Sequence, residues 1–146
     1  MRKVTRADRG FSLLELLIVV GIILIVATIA IPSFMRSRQR ANENTAVANL
    51  RTVSNAQATY IISSGGYFGT MRQLVNGGLL DNRFGTGVVG GYGYSVTTNG
   101  FDYTILANPQ TQNDGRFGYY LQPDGVVHYS TMTTLAPAGQ AGNPVN

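Results

Sequence analysis

The chain has 146 residues, 12% charged and 44% hydrophobic, with a formal net charge of +4 and no cysteine. That length holds one modest domain, and the absence of cysteine excludes disulfide staples and thiolate metal sites within it. The charge is unevenly placed: Arg2, Lys3, Arg6 and Arg9 face only Asp8 in the first ten residues, and the rest carries seven arginines against six acids. Any nucleic-acid reading based on the high isoelectric point therefore loses most of its support if those ten residues are removed, and no specific nucleic-acid partner is expected.

The basic start MRKVTRADRG leads into FSLLELLIVVGIILIVATIAI, 21 residues whose only charge is Glu15. A secretory signal also has a basic start, but its apolar core is shorter, about 7–15 residues, and closes on a small-x-small cleavage site that is missing here. At about 1.5 Å of helix per residue, the run matches a hydrocarbon core of about 30 Å. It reads as a transmembrane helix. Glu15 is its anomaly, because an acid at mid-bilayer costs roughly 2.5–3.5 kcal/mol and needs a partner. A place near the interface, in the first helical turns where the dipole favours negative charge, is the simpler account. It leaves unexplained why a basic segment ending in glycine directly precedes Phe11.

The string Gly10-Phe11-Ser12-Leu13-Leu14-Glu15-Leu16-Leu17 resembles the prepilin cleavage and methylation motif of type IV pilins and type II secretion pseudopilins. The resemblance implies removal of residues 1–10 as a leader by a membrane prepilin peptidase that cuts between Gly10 and Phe11, followed by N-methylation of Phe11. It implies that Glu15 pairs with the amine of Phe11 on a neighbouring subunit, so that the chain assembles into a homo-oligomeric filament with the help of inner-membrane machinery. Before assembly it would be a single-pass inner membrane protein, and afterwards part of an extracellular or periplasmic filament. Physical chemistry fits these roles. Glycine gives a protease cleft close backbone access. The cut makes an amine whose unperturbed pKa is about 7.7–8.0, and pairing would relieve two desolvated charges together. Charge alone decides topology weakly, since Arg36, Arg38 and Arg40 follow the span; they read as a solvated juxtamembrane anchor.

Beyond the membrane run, Ala41, Ala46, Val47, Leu50, Val53, Ala56, Gln57, Tyr60 and Ile61 recur at three- and four-residue steps up to Ser63-Ser64-Gly65-Gly66. This predicts one helix over residues 11–64, with a transmembrane half, 11–31, and an amphipathic half, 32–64. It would be about 80 Å long, so its first half needs lipid or other subunits to cover it. Pro32 removes the hydrogen bond to the carbonyl of Thr28 and marks an expected kink. In the family it resembles, a proline at this place is recurrent.

Residues 65–130 predict a globular head. Thr70-Met71-Arg72-Gln73 has the T-x-x-Q spacing of a capping box, opening a short helix that Gly77-Gly78 ends. Residues 85–93 are glycine-rich but lack the G-K-[ST] ending of a phosphate loop, and read as a connection. Asn99-Gly100 predicts a two-residue hairpin turn pairing Thr98 with Phe101. Strands over 117–122 and 126–130, joined by Pro123-Asp124-Gly125 with Gly125 left-handed, set Leu121 opposite Val127 and Tyr119 opposite Tyr129. A two-residue loop would instead bring His128 against Leu121. One apolar sheet face against one helix stripe gives an α+β, pilin-like fold: a long N-terminal helix on a small antiparallel four-stranded sheet. Residues 131–146 are predicted to be a flexible tail.

No catalytic residue is indicated: nucleophile–base pairs, paired acids and ligand clusters are lacking, so no enzyme, cofactor or metal is expected. Asp114 and Asp124 are weighed as calcium ligands, but both fit turns that need no metal. His128 reads as a surface histidine beside Tyr120. The leading expectation is a structural subunit of a type IV pilus-like filament, the alternative a pseudopilin of a type II secretion system. A membrane-tethered binding module that never polymerises is the third class.

Overall fold

The computed structural model describes residues 11–130 and 142–145; the expected leader and its Gly10, and most of the expected tail, lie outside these. The chain divides into two compact units, one ending at Arg36 and one beginning at Ser37.

Helix α1 covers Leu13–Ser63 and remains helical through Pro32. In the first unit its side chains are almost all exposed, and an 18-residue window reaches a mean hydropathy of 3.0 with none of it buried. Among the described residues this is the one helix long and apolar enough to cross a membrane. In the second unit the helix changes character. Glu43, Ala46, Asn49, Leu50, Val53, Ala56 and Gln57 are buried at three- and four-residue spacing, the signature of one face packed on a core.

That core is shared with α2, Met71–Asn76, a 3₁₀ helix at Asn82–Thr86 and an antiparallel sheet. The strands are β1, Val88–Val89; β2, Tyr92–Thr98; β3, Tyr103–Pro109; β4, Tyr119–Leu121; β5, Val127–Tyr129; and β6, Asn143–Pro144. They lie in chain order, an up-and-down meander. Tyr92, Ile105, Ala107 and Leu121 on the sheet meet Leu50 and Val53 on the helix and Leu74 on α2, all fully buried.

Thr70 caps α2 as its spacing predicts: its Oγ1 accepts the Gln73 N–H, and the Gln73 side chain accepts the Thr70 N–H at 2.8 Å. The second hairpin also has the predicted register, with Leu121 opposite Val127 and Tyr119 opposite Tyr129, and Gly125 at φ +74°. There the Asp124 carboxylate accepts the Val126 N–H.

Three expectations are corrected. The sheet has six strands, not four, because two-residue strands β1 and β6 add one edge each. β1 and the 3₁₀ helix occupy much of residues 85–93, which glycine content alone makes look like a plain connection. The first hairpin pairs Thr98 with Tyr103, not with Phe101. Side chains decide this loop: Asn99 Oδ1 accepts the N–H groups of both Phe101 and Asp102, and Thr98 Oγ1 donates to the Asp102 carbonyl. Such an Asx arrangement competes with the tight two-residue turn. Because the register moves by two, each side chain keeps its face. Only Phe101 is displaced, from its expected strand position opposite Thr98 to the loop, where it is 76% exposed.

Gln57, fully buried, ties α1 to the chain ahead of α2: its Nε2 donates to the Gly69 carbonyl at 2.6 Å and its Oε1 accepts the Gly69 N–H at 2.9 Å. Gln57→Leu keeps the volume and strands both backbone groups. The expected cost is about 3 kcal/mol, at about 1–3 kcal/mol per stranded group, read as a lowered denaturation midpoint with an unchanged slope.

Candidate functional site

At the start of α1, Ser12 and Glu15 form a reciprocal cap. Ser12 Oγ accepts the Leu14 N–H at 3.3 Å, and Glu15 Oε2 accepts the Ser12 N–H at 3.0 Å. The S-x-x-E spacing of a capping box is present in the sequence, so this role was legible there, but reading Glu15 only as a membrane charge passes over it. Glu15 is exposed, as is Phe11 at 83%, and apolar side chains surround both. One carboxylate oxygen holds the helix start; the carboxylate as a whole faces outward in a sleeve that otherwise offers no charge before Arg36. Such a group can receive a cation from outside its own chain.

A second polar constellation locks the head to the helix. Glu43, 5% exposed, accepts from Arg116 three times: the backbone N–H at 2.8 Å, Nε at 3.0 Å and Nη2 at 2.7 Å. Around it, Asn42 donates to the Asp114 carbonyl, Gln39 to the Gln112 carbonyl, and Arg38 lies 3.9 Å from the Asp114 carboxylate. Close packing fixes the path of this loop. A Cβ on Gly115 would lie 1.9 Å from the hydroxyl of Tyr92, which donates to the Phe117 carbonyl.

No sequence signal marks the Glu43–Arg116 pair, since its members are 73 residues apart. Asp114 and Asp124, weighed as metal ligands, are not brought together: the first accepts from Thr111 and meets Arg38, the second caps its own turn. Among the described residues no group of three or more His, Cys, Asp or Glu side chains is placed to hold a metal. His128 sits opposite Tyr120 with the rings stacked, centroids 4.9 Å apart.

Burial pushes the hydroxyls of Tyr92, Tyr94, Tyr103 and Tyr119 above the ordinary tyrosine value of 10. For Tyr92 and Tyr119 the nearby Glu43 carboxylate adds to the rise. Hydrogen bonds from Asn49 to Tyr94 and between Ser54 and Tyr103 oppose it. The folded state thus keeps protons that the unfolded chain releases above pH ~10. Stability is full below that pH and is lost as the pH rises beyond it. In alkaline denaturation, tyrosinate absorbance from these residues should appear together with the loss of circular dichroism, not before it.

Comparison with known proteins agrees with this layout. Residues 5–31 match the family described as the prokaryotic N-terminal methylation motif. The type IV major pilin protein PilA of Myxococcus xanthus is 34% identical over 92% of this chain and 62% of its own length. The type IV wide pilus major component PilA4 of Thermus thermophilus is 38% identical over 51% of this chain and 56% of its own. The type II secretion system core protein G of Klebsiella pneumoniae is 28% identical over 82% of this chain and 87% of its own. The chain thus spans about three fifths of the two pilins it matches. No solved structure gives a significant match. With the methylation motif on the apolar start of α1 and the Myxococcus xanthus pilin aligned across most of its length, the chain is similar to type IV pilins and type II secretion pseudopilins.

Proposed function

We propose that the chain is a structural subunit of a type IV pilus-like filament, matured by cleavage between Gly10 and Phe11 and by N-methylation of Phe11. The observation that carries this reading is the exposed Glu15 carboxylate in the first turn of a helix whose surroundings are apolar and unburied. Cleavage would create a cationic amine one turn away in sequence, and methylation keeps its charge. Within one chain the carboxylate already serves the Ser12 N–H, so the partner it lacks is the amine of Phe11 on a neighbouring subunit. Pairing the two removes the cost of two lone charges at membrane depth. Residues 11–31 hold the subunit in the inner membrane until it enters the filament, where neighbouring helices replace lipid around them. Pro32 is the point where α1 yields as those helices pack. The role is structural, and no catalytic step is assigned to any residue.

Intact-mass and N-terminal sequencing of protein from envelope and sheared surface fractions tests this reading. A chain starting at methyl-Phe11 and abundant in the sheared fraction is expected. An unprocessed chain starting at Met1 would overturn it. The match to core protein G over most of that relative's length favours a second reading, a pseudopilin of a type II secretion system. Processed protein kept in the envelope and missing from the sheared fraction would select it.

A further inference from the structure

We infer that the β2–β3 hairpin tip of one copy, led by Phe101, seats in the aromatic cavity beside Asn44 and Val47 of a second copy, joining heads end to end. This rests on the filament reading above and names a contact between heads that the Glu15 pairing does not include.

The tip is an ordered projection. Phe101 is 76% exposed, yet Asn99 Oδ1 holds its N–H at 3.0 Å and that of Asp102 at 2.8 Å, and the ring of Tyr67 lies 5.2 Å from its own. An aromatic side chain fixed in place before binding loses little further freedom on docking. Apart from Tyr67, it is left largely uncovered among the described residues.

The receiving site lies at the other end of the same unit. A cavity of about 400 Å³ is lined by Asn44, Val47, Phe117, Tyr119, Tyr129 and Val145, and the Glu43–Arg116 pair forms its polar wall. The volume admits a phenyl ring, and three aromatic side chains line it for edge or offset contact.

Charge sets the direction. The meander puts the β2–β3 and β4–β5 turns at one end of the sheet, and both tips carry exposed acids, Asp102 and Asp124. Arg40 is exposed and lies one helical turn before Asn44, on the same side of α1 as that lining residue. A tip-to-tip pair would set acid against acid, whereas tip-to-cavity sets acid against arginine. A knob and a hole on different parts of one surface make a heterologous contact, which propagates instead of closing.

Because the chain has no cysteine, engineered cysteines report on this contact directly. Phe101→Cys with Asn44→Cys, both exposed positions, is expressed in the full chain in its host, and intact filaments are oxidised before denaturing electrophoresis. Within one copy the two sites cannot join. The Tyr94–Ala107 and Thr98–Tyr103 pairs, which separate the cavity end from the tip, are four residues apart along β2. That is about 13 Å at about 3.3 Å per residue, against a Cα limit of about 7 Å for a disulfide.

The expected result is a ladder of covalent oligomers from the double variant and none from either single variant. Disulfide dimers from Phe101→Cys alone would mean tip-to-tip contact and overturn the inference. Sheared filaments starting at methyl-Phe11 but giving no ladder would also overturn it, leaving the filament reading intact. Absence of any processed filament from the unaltered protein would remove both. Charge exchange is an independent check: Asp102→Arg should lower the sheared yield severalfold, and Arg40→Asp in the same chain should restore it. Failure of that restoration counts against the contact.

Discussion

Glu15→Ala protein should insert, be cleaved and accumulate in the envelope, while the sheared filament fraction falls at least ~100-fold. Breaking a desolvated pair by removing one partner costs about 3–5 kcal/mol, because the other charge is stranded, and each 1.4 kcal/mol is a factor of ten in association. The structure adds a competing account, since Glu15 also caps its own helix through the Ser12 N–H. Losing a cap costs only about 1 kcal/mol, and the two roles separate chemically. Glu15→Gln keeps an oxygen for the Ser12 N–H and loses the charge. If Gln behaves like Ala in the sheared fraction, the charge is what assembly needs. If Gln restores normal filaments, the cap explains the residue and the intersubunit pair is wrong.

Arg116→Ala should destabilise the head more than Glu43→Ala does, although the two residues form one pair. Glu43 is 5% exposed and accepts three hydrogen bonds from Arg116, one of them from its backbone. Without the guanidinium, a carboxylate remains in the core with that single backbone donor. The Arg116 side chain is 45% exposed, so the usual 3–5 kcal/mol for a broken buried pair must be discounted for solvent, to about 2–3 kcal/mol. Truncating Glu43 instead frees an arginine that can turn to water, at about 1–2 kcal/mol. Urea denaturation of the detergent-solubilised variants measures both. Equal losses would show that the buried carboxylate is not the costly partner.

Local chemistry made much of the fold legible. The apolar run, the change to three- and four-residue spacing near Ala46, and the Thr70–Gln73 box each act within a few residues, so α1 and α2 can be read directly. The Leu121–Val127 register was readable because two faces of different polarity allow one answer. The Asn99-Gly100 turn was not, because Asn99, Thr98 and Asp102 offered hydrogen bonds that a dipeptide rule does not weigh. Face assignment survived this error only because strands have a period of two. The edge strands β1 and β6 are two residues each and leave no periodicity to detect. The Glu43–Arg116 lock is invisible for a different reason: an acid in a helix and an arginine in a glycine-rich loop each suit a solvated surface, and only the tertiary fold brings them together.

Those two-residue edges have a consequence for a chain proposed to pack among copies of itself. An open sheet edge is a template for pairing with another sheet, and its hazard grows with the length of free backbone it presents. Here each border strand is only two residues long, and Pro144 in β6 has no N–H to give. Along β1 and β6 themselves, lateral annealing of sheets, the route to amyloid-like deposits, therefore finds little ladder to extend. For heads that pack together as proposed, these two borders leave contact to side chains more than to backbone.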